Sequence, residues 1–66
     1  MKASITQALK NSLEASADRH RVNVSILLSN HVGVAEHPDI LEAIEKELAV
    51  IAEYEDQISI IRKYLS

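Results

Sequence analysis

The single glycine and the single proline of the chain, Gly33 and Pro38, lie five positions apart near its middle. These two residue types interrupt helices most strongly, and neither occurs anywhere else in the sequence. Each flanking segment is about 27 residues long, which corresponds to ~40 Å of α-helix. Two rods of equal length joined by a short connection predict an antiparallel αα-hairpin.

The first segment, from residue 4 to about residue 32, carries an apolar stripe at helical spacing. The members of this stripe are Ile5, Leu9, Leu13, Ala17, His20, Val24, Leu27, Leu28 and His31. A thinner apolar line lies nearly opposite and consists of Ala8, Ala15, Val22 and Ile26. Residues 22–28 also alternate as a strand does. Since a lone strand without a partner is unstable in water, we predict a helix.

The second segment, from residue 38 to about residue 65, shows a wider apolar face. Its seam consists of Leu41, Ile44, Leu48, Ile51, Ile58 and Leu65. Val50, Tyr54 and Ile61 widen this seam to about half the circumference, more than the ~100° stripe of an ordinary surface helix. Glu42 and Lys46 form a favourably ordered i,i+4 pair on the outside. A single neighbouring helix cannot cover so wide a face.

Chain length makes self-association the leading expectation. The sequence has 66 residues and no cysteine, so disulfides and thiolate zinc sites are excluded. A chain this short buries only about 60% of its unfolded surface and usually needs a staple or a partner. We therefore predict one all-α domain over residues 1–66, with helix 1 at about 4–32, a turn at 33–37 and helix 2 at about 38–65. The hairpin is expected to dimerise into a four-helix bundle.

The residues expected to form the oligomer interface come from the wide apolar face of helix 2 and from the thinner apolar line of helix 1. These candidates are Val22, Ile26, Leu48, Val50, Ile51, Tyr54, Ile58 and Ile61.

The connection is interpreted as a structural turn. Gly33 fits the left-handed position after a helix, and Pro38 fits the first turn of the next one. Asp39 can cap that helix, with Glu42 completing a capping box. The alternative is a metal site, for which the imidazole and carboxylate ligands would be His31, Glu36, His37 and Asp39. No familiar ligand spacing appears, so we predict no metal and no cofactor.

Two further patterns could indicate a catalytic site or a pH-sensitive switch. His20 lies in the middle of the apolar stripe and is interpreted as a histidine hydrogen-bonded across the bundle. Glu42 with Glu45, and Glu53 with Asp56, resemble the acidic pairs of all-α nucleotide pyrophosphohydrolases, which hold magnesium between helices. Here both pairs lie on one helix, ~16 Å apart. That arrangement is typical of a solvated face, and we predict no catalytic residue.

Basic residues of helix 1 offer a nucleic-acid alternative. Lys10, Arg19 and Arg21 can contact phosphates across a dimer. Within one helix, however, Arg19 and Arg21 point about 200° apart. The two tyrosines are too few for a base-stacking platform. A nucleic-acid partner is therefore not expected to be the main one.

Charge and hydropathy indicate the compartment. Residues 1–35 carry four basic and two acidic side chains, whereas residues 36–66 carry three basic and eight acidic ones. This asymmetry suits two segments that lie against each other or against copies of themselves. No apolar run approaches the roughly 20 residues needed to span a bilayer, and the N-terminal segment lacks a secretory signal pattern. We expect a cytoplasmic protein without membrane contact.

The stretch VGVAEHPDILEAIEKELAVIAEYEDQI resembles a family of small uncharacterised proteins from tailed marine bacteriophages. In that family a glycine-containing turn with E-H-P-D-I leads into an acidic helix that ends the chain. The resemblance covers about residues 30–65, and helix 1 carries little of it. It implies a phage-encoded protein in the host cytoplasm, and it supplies no catalytic residue.

Together these patterns predict a non-catalytic interaction or assembly protein that acts as a homo-oligomer on an unknown protein partner. The alternative is a nucleic-acid-binding helical bundle that uses the basic side of helix 1. A metal-dependent nucleotide phosphohydrolase is the third interpretation.

Replacement of Gly33 by alanine tests the structural turn. We expect Gly33→Ala to lower the free energy of unfolding by about 1 kcal/mol or more, because a Cβ is penalised in the left-handed region. His31→Ala and His37→Ala should cost less, and a chelator should leave the melting temperature unchanged. A stoichiometric metal that survives dialysis would contradict this interpretation.

Overall fold

The computed structural model describes residues 2–29 and 38–65, and it consists of two helices. Helix α1 spans Lys2–Ser29 and helix α2 spans Pro38–Tyr64. The predicted all-α class and the packing of the two helices against each other are confirmed. Residues 22–28 are helical, so the choice of helix over strand is confirmed as well. The predicted turn residue Gly33 lies outside the described residues.

The two helices differ in how well their ends match the helix dipole. Helix α2 begins at Pro38, has Asp39 in its first turn and has Arg62 and Lys63 in its last turn. These charges complement the positive and negative helix ends. Glu42 and Lys46 form the expected pair, with 3.6 Å between Oε1 and Nζ. Helix α1 has no acidic residue in its first turn and no basic residue in its last turn. Helix α1 therefore depends more on packing.

The helices run antiparallel. Glu14, in the first half of α1, pairs with Arg62 near the end of α2, whereas Asn23, late in α1, bonds to Glu47 early in α2. Along the contact each helix contributes every third or fourth residue, and we name these positions the inner seam. On α1 the inner seam is Thr6, Lys10, Leu13, Ala17, His20, Val24 and Leu27. On α2 it is Ile40, Ile44, Glu47, Ile51, Tyr54, Ile58 and Ile61.

The inner seam differs from the predicted stripes at several places. Ile5, Leu9 and Leu28 of α1 are exposed by 45% or more, and so are Leu41, Leu48 and Leu65 of α2. The inner seam alternates steps of three and four residues, a period of about 3.5 that is typical of coiled-coil packing. A stripe drawn at 3.6 residues per turn drifts from such a seam by about 20° every seven residues. On α1 this drift displaces Ile5 and Leu9, which were placed at steps of four residues. On α2, Leu41 and Leu48 keep the seven-residue spacing but lie one position after Ile40 and Glu47, so they border the inner seam.

The core of the hairpin is thin. Its buried apolar residues within the described ranges are Ala17, Ile51, Ile58 and Ile61, and Ala17 is fully buried at 0% exposure. Ion pairs line one edge of the inner seam, where Arg21 reaches Glu55 at 3.1 Å and Arg62 reaches Glu14 at 3.5 Å. Exposed pairs of this kind contribute little stability but favour the antiparallel orientation.

Ala17 tests the close approach of the helices. We expect Ala17→Leu to lower the free energy of unfolding by about 1–3 kcal/mol, because the larger side chain forces the helices apart. Ala49→Leu is the matched control, since Ala49 is exposed on the outer side of α2. Urea unfolding of both variants measures the difference. Equal stability of the two would contradict the described packing at Ala17.

Candidate interaction surface

A polar cluster interrupts the apolar inner seam near its middle. The Nδ1 atom of His20 lies 2.5 Å from Oε2 of Glu47, and Nδ2 of Asn23 donates to Oε1 of the same carboxylate at 3.2 Å. The His20 ring also stacks on Tyr54, with 5.9 Å between ring centroids. The expected hydrogen bond of His20 across the bundle is confirmed. Both oxygens of the Glu47 carboxylate are thereby satisfied from α1.

The hydrogen bonds of the cluster stabilise the charged form of the Glu47 carboxylate. The hydrogen bond from His20 is the largest influence on Glu47 and holds the pKa of its carboxyl below the usual value, against the opposing effect of desolvation. The side chains of His20 and Glu47 are each 22% exposed. A carboxylate held by an imidazole and an amide in this way joins the helices in one register, because shifting α2 by a turn would break all three contacts.

Arg21, one of the nucleic-acid candidates, is held by carboxylates of its own chain. Its guanidinium lies 2.6 Å from Asp18 and 3.1 Å from Glu55, and these hydrogen bonds, that of Glu55 first, raise the pKa of Arg21. Lys10 is half-buried on the inner seam, whereas Arg19 is exposed on the far side of α1. The hairpin therefore does not bring the three basic residues onto one face.

The acidic residues of α2 that were considered for metal chemistry face solvent. Glu42, Glu45, Glu53 and Asp56 are exposed, as is Asp39. Within residues 2–29 and 38–65 no three histidine or acidic side chains come together in a way that would hold a metal ion. Of the alternative turn site, His31, Glu36 and His37 lie outside the described residues.

The surface of the hairpin exposes many large apolar side chains. Large apolar side chains with exposures between 45% and 69% occur on both helices. They are Ile5, Leu9, Val22, Ile26, Leu28, Leu41, Leu48, Ile60, Tyr64 and Leu65. So many exposed large apolar side chains on a helical hairpin favour a contact with another macromolecule.

The candidates for the oligomer interface divide into three groups. Val22, Ile26 and Leu48 are exposed by more than half and are available to a partner. Val50 is half-buried beside the inner seam, and Tyr54 is half-buried within it. Ile51, Ile58 and Ile61 are buried against α1 of the same chain, so they form the hairpin itself. Ile60, exposed by 47%, is an apolar surface residue that the sequence pattern left out.

Two open grooves flank the inner seam. One has a volume of about 400 Å³ and is lined mainly by Val24, Leu48 and Ala52, with Arg21 and Glu55 at its edge. The other, of about 300 Å³, lies on the opposite side. It is lined by Leu9, Leu13, Gln57, Ile60 and Ile61. Both are shallow and mainly apolar, which suits side chains of a macromolecular partner better than a small polar substrate.

The chain matches no family model, no curated protein and no solved structure. In the part of the chain that the structure describes, neither helix combines the length and apolar character needed to cross a membrane.

Glu47 predicts a specific pH dependence of stability. A carboxyl whose pKa is lower in the folded than in the unfolded chain stabilises the fold above about pH 4.3, and this contribution disappears as the pH falls through the folded pKa. We expect Glu47→Gln to melt at a lower temperature than the wild type near neutral pH, with the gap closing as the pH falls through the lowered pKa of Glu47. Glu45→Gln, at an exposed position, serves as the control and should leave the profile unchanged. A gap that stays constant with pH would contradict the role given to Glu47.

Proposed function

We propose that the chain is a non-catalytic interaction and assembly protein that acts as a homo-oligomer. The observation that carries this proposal is the imbalance between its core and its surface. Four apolar residues are buried in the described ranges, whereas ten large apolar side chains are exposed by 45% or more. A monomer of this kind would leave most of its hydrophobic driving force unused.

The accessible surface supports the same proposal. A compact folded monomer of 7.3 kDa exposes ~4,200 Å². This chain exposes 5014 Å², an excess of about 800 Å². One partner in a standard-sized protein interface buries about that area. The shape is consistent with the excess, since the hairpin measures 52 × 15 × 11 Å along its principal axes.

The chemistry of the remaining surface favours binding over catalysis. The His20–Glu47 pair is engaged in holding the two helices together, and the acidic side chains of α2 are dispersed over an exposed face. The proposed setting is the cytoplasm, in keeping with the phage proteins that the second half of the sequence resembles. A protein partner would then bind the assembled hairpins through the open apolar grooves.

Unfolding as a function of protein concentration tests this proposal. A hundredfold increase in concentration stabilises a folded dimer by about 2.7 kcal/mol at 25 °C, because folding and association are linked. We expect the urea midpoint to rise accordingly, and sedimentation equilibrium to give a mass of at least twice the chain. A midpoint independent of concentration together with a monomer mass would show that the hairpin stands alone.

Two binding and activity measurements distinguish the alternatives. Salt-dependent binding of RNA or DNA would favour the nucleic-acid interpretation over this one. Magnesium-dependent nucleotide hydrolysis that disappears in the double variant Glu45→Gln, Asp56→Asn would favour the phosphohydrolase interpretation. We expect neither, and the double variant should fold as the wild type does because both side chains are exposed.

A further inference from the structure

Helix α1 carries a second seam on the side turned away from α2. Every one of its positions is exposed, and successive members are again three or four residues apart. We name it the outer seam, and it consists of Ile5, Ala8, Ser12, Ala15, Arg19, Val22, Ile26 and Ser29. It lies about 150° around the helix from the inner seam. A regular spacing of this kind is what a second packed helix requires.

The outer seam lacks the charges of a solvated face. The positions that flank it are Ser4, Leu9, Asn11, Ser16, Asp18, Asn23 and Ser25. Asp18 is the one ionised group among them, and Arg19 is the one charge in the seam itself. The exposed side of α2, in contrast, presents Glu42, Glu45, Glu53 and Asp56. A surface helix ordinarily places its charged residues opposite the core, so the outer seam has the composition of a contact.

We propose that the occupant of the outer seam is the same seam of a second copy, packed antiparallel around a two-fold axis. This inference rests on the proposed self-association and names the surface that carries it. Antiparallel pairing has a register that uses all eight positions, and in that register every layer joins one bulky to one small side chain. The layers are Ile5 with Ser29, Ala8 with Ile26, Ser12 with Val22, and Ala15 with Arg19.

Size complementarity selects this arrangement over a parallel one. In a parallel pair each residue meets its own copy, so Ala8 faces Ala8 across a gap while Ile26 meets Ile26. Alternation of large and small residues in each layer fills the space evenly, as close packing requires. Ser29 tolerates burial, because its hydroxyl already donates to the carbonyl oxygens of Ser25 and Ile26 at 3.0 Å. The two-fold symmetry also makes the interface self-complementary.

The charges at the centre of the outer seam agree with the same register. The two-fold axis passes the helix level with Ala17, so Asp18 and Arg19 lie beside it in both copies. Each Arg19 can then reach the Asp18 carboxylate of the other copy, which is 71% exposed and already bonded to its own Arg21. In a parallel pair Arg19 would instead meet Arg19 in the same layer, where like charges repel.

Area and length match a stable interface. From Ile5 to Ser29 the outer seam extends for about 36 Å. The surface excess of about 800 Å² per chain, estimated from the 5014 Å² exposed, corresponds to one partner's share of a standard interface. Since the two seams of α1 lie nearly opposite each other, the four helices form one flat layer in the order α2, α1, α1, α2. Both grooves beside the inner seam stay open in this layer.

Disulfide pairing tests the register directly, because the chain has no cysteine of its own. Mixing the Ala8→Cys variant with the Ile26→Cys variant under mild oxidation should give a covalent dimer of the two different chains. Ala8→Cys alone should not pair, since its two cysteines would lie about 27 Å apart. A mixture of Ala8→Cys with Glu53→Cys, on the outer side of α2, is the matched control. Pairing of Ala8→Cys with itself, or equal pairing in the control, would overturn the inference.

Compensating substitutions provide the second test. Ala8→Leu should weaken the dimer by about tenfold or more, because the added side chain meets Ile26 of the second copy. Adding Ile26→Ala to the same chain should restore the dissociation constant towards that of the wild type. Ala49→Leu is the control for added bulk at an exposed alanine. A dimer unaffected by Ala8→Leu would show that copies associate through another surface, which overturns this interface but leaves the proposed function standing. A wild-type monomer would overturn both.

Discussion

The contact between α1 and α2 limits everything else in this molecule. Two helices share one line of contact, and a line of contact encloses few atoms. The buried residues of the described ranges are Ala17 of α1, which is fully buried, and three isoleucines of α2. Each helix covers only one side of the other. Apolar residues that lie outside this contact therefore stay exposed and do not enlarge the core. This geometry is the basis of the proposal that the hairpin packs against a further partner.

Polar residues within that contact determine its register. A purely apolar seam allows the helices to slide by a turn at little cost, since one aliphatic layer resembles the next. The Glu47 carboxylate, held by His20 and Asn23, has no equivalent partner in a shifted register. Stacking of His20 on Tyr54 adds a second constraint from a different residue of α2. We interpret the cluster as a device for specificity, because a partly exposed polar contact contributes little net stability.

The sequence was sufficient to predict the two helices. Which side of each helix packs against the other became clear only from the structure. Pro38 marked the start of α2, and the regular apolar spacing indicated two helices. Leu41 and Leu48, predicted on the same seam as Ile51, are exposed because the contact with α1 runs through Ile40 and Glu47, one position earlier at the same seven-residue spacing. Glu47 was missed for a different reason. A glutamate on an inner seam is recognised only when the histidine and asparagine that satisfy it are known to lie opposite.

The proposed layer of four helices offers an explanation for the uneven distribution of charge between α1 and α2. Within the described ranges α2 has seven acidic and three basic residues, and most of the acidic ones face away from α1. In the order α2, α1, α1, α2 these faces form the two outer edges of the layer. In the proposed layer these edges would carry the same sign and would repel one another, which disfavours further stacking through α2. Helix α1 would lie inside the proposed layer, where few charges are needed. The same arrangement therefore accounts for the apolar outer seam of α1 and for the acidic exterior of α2.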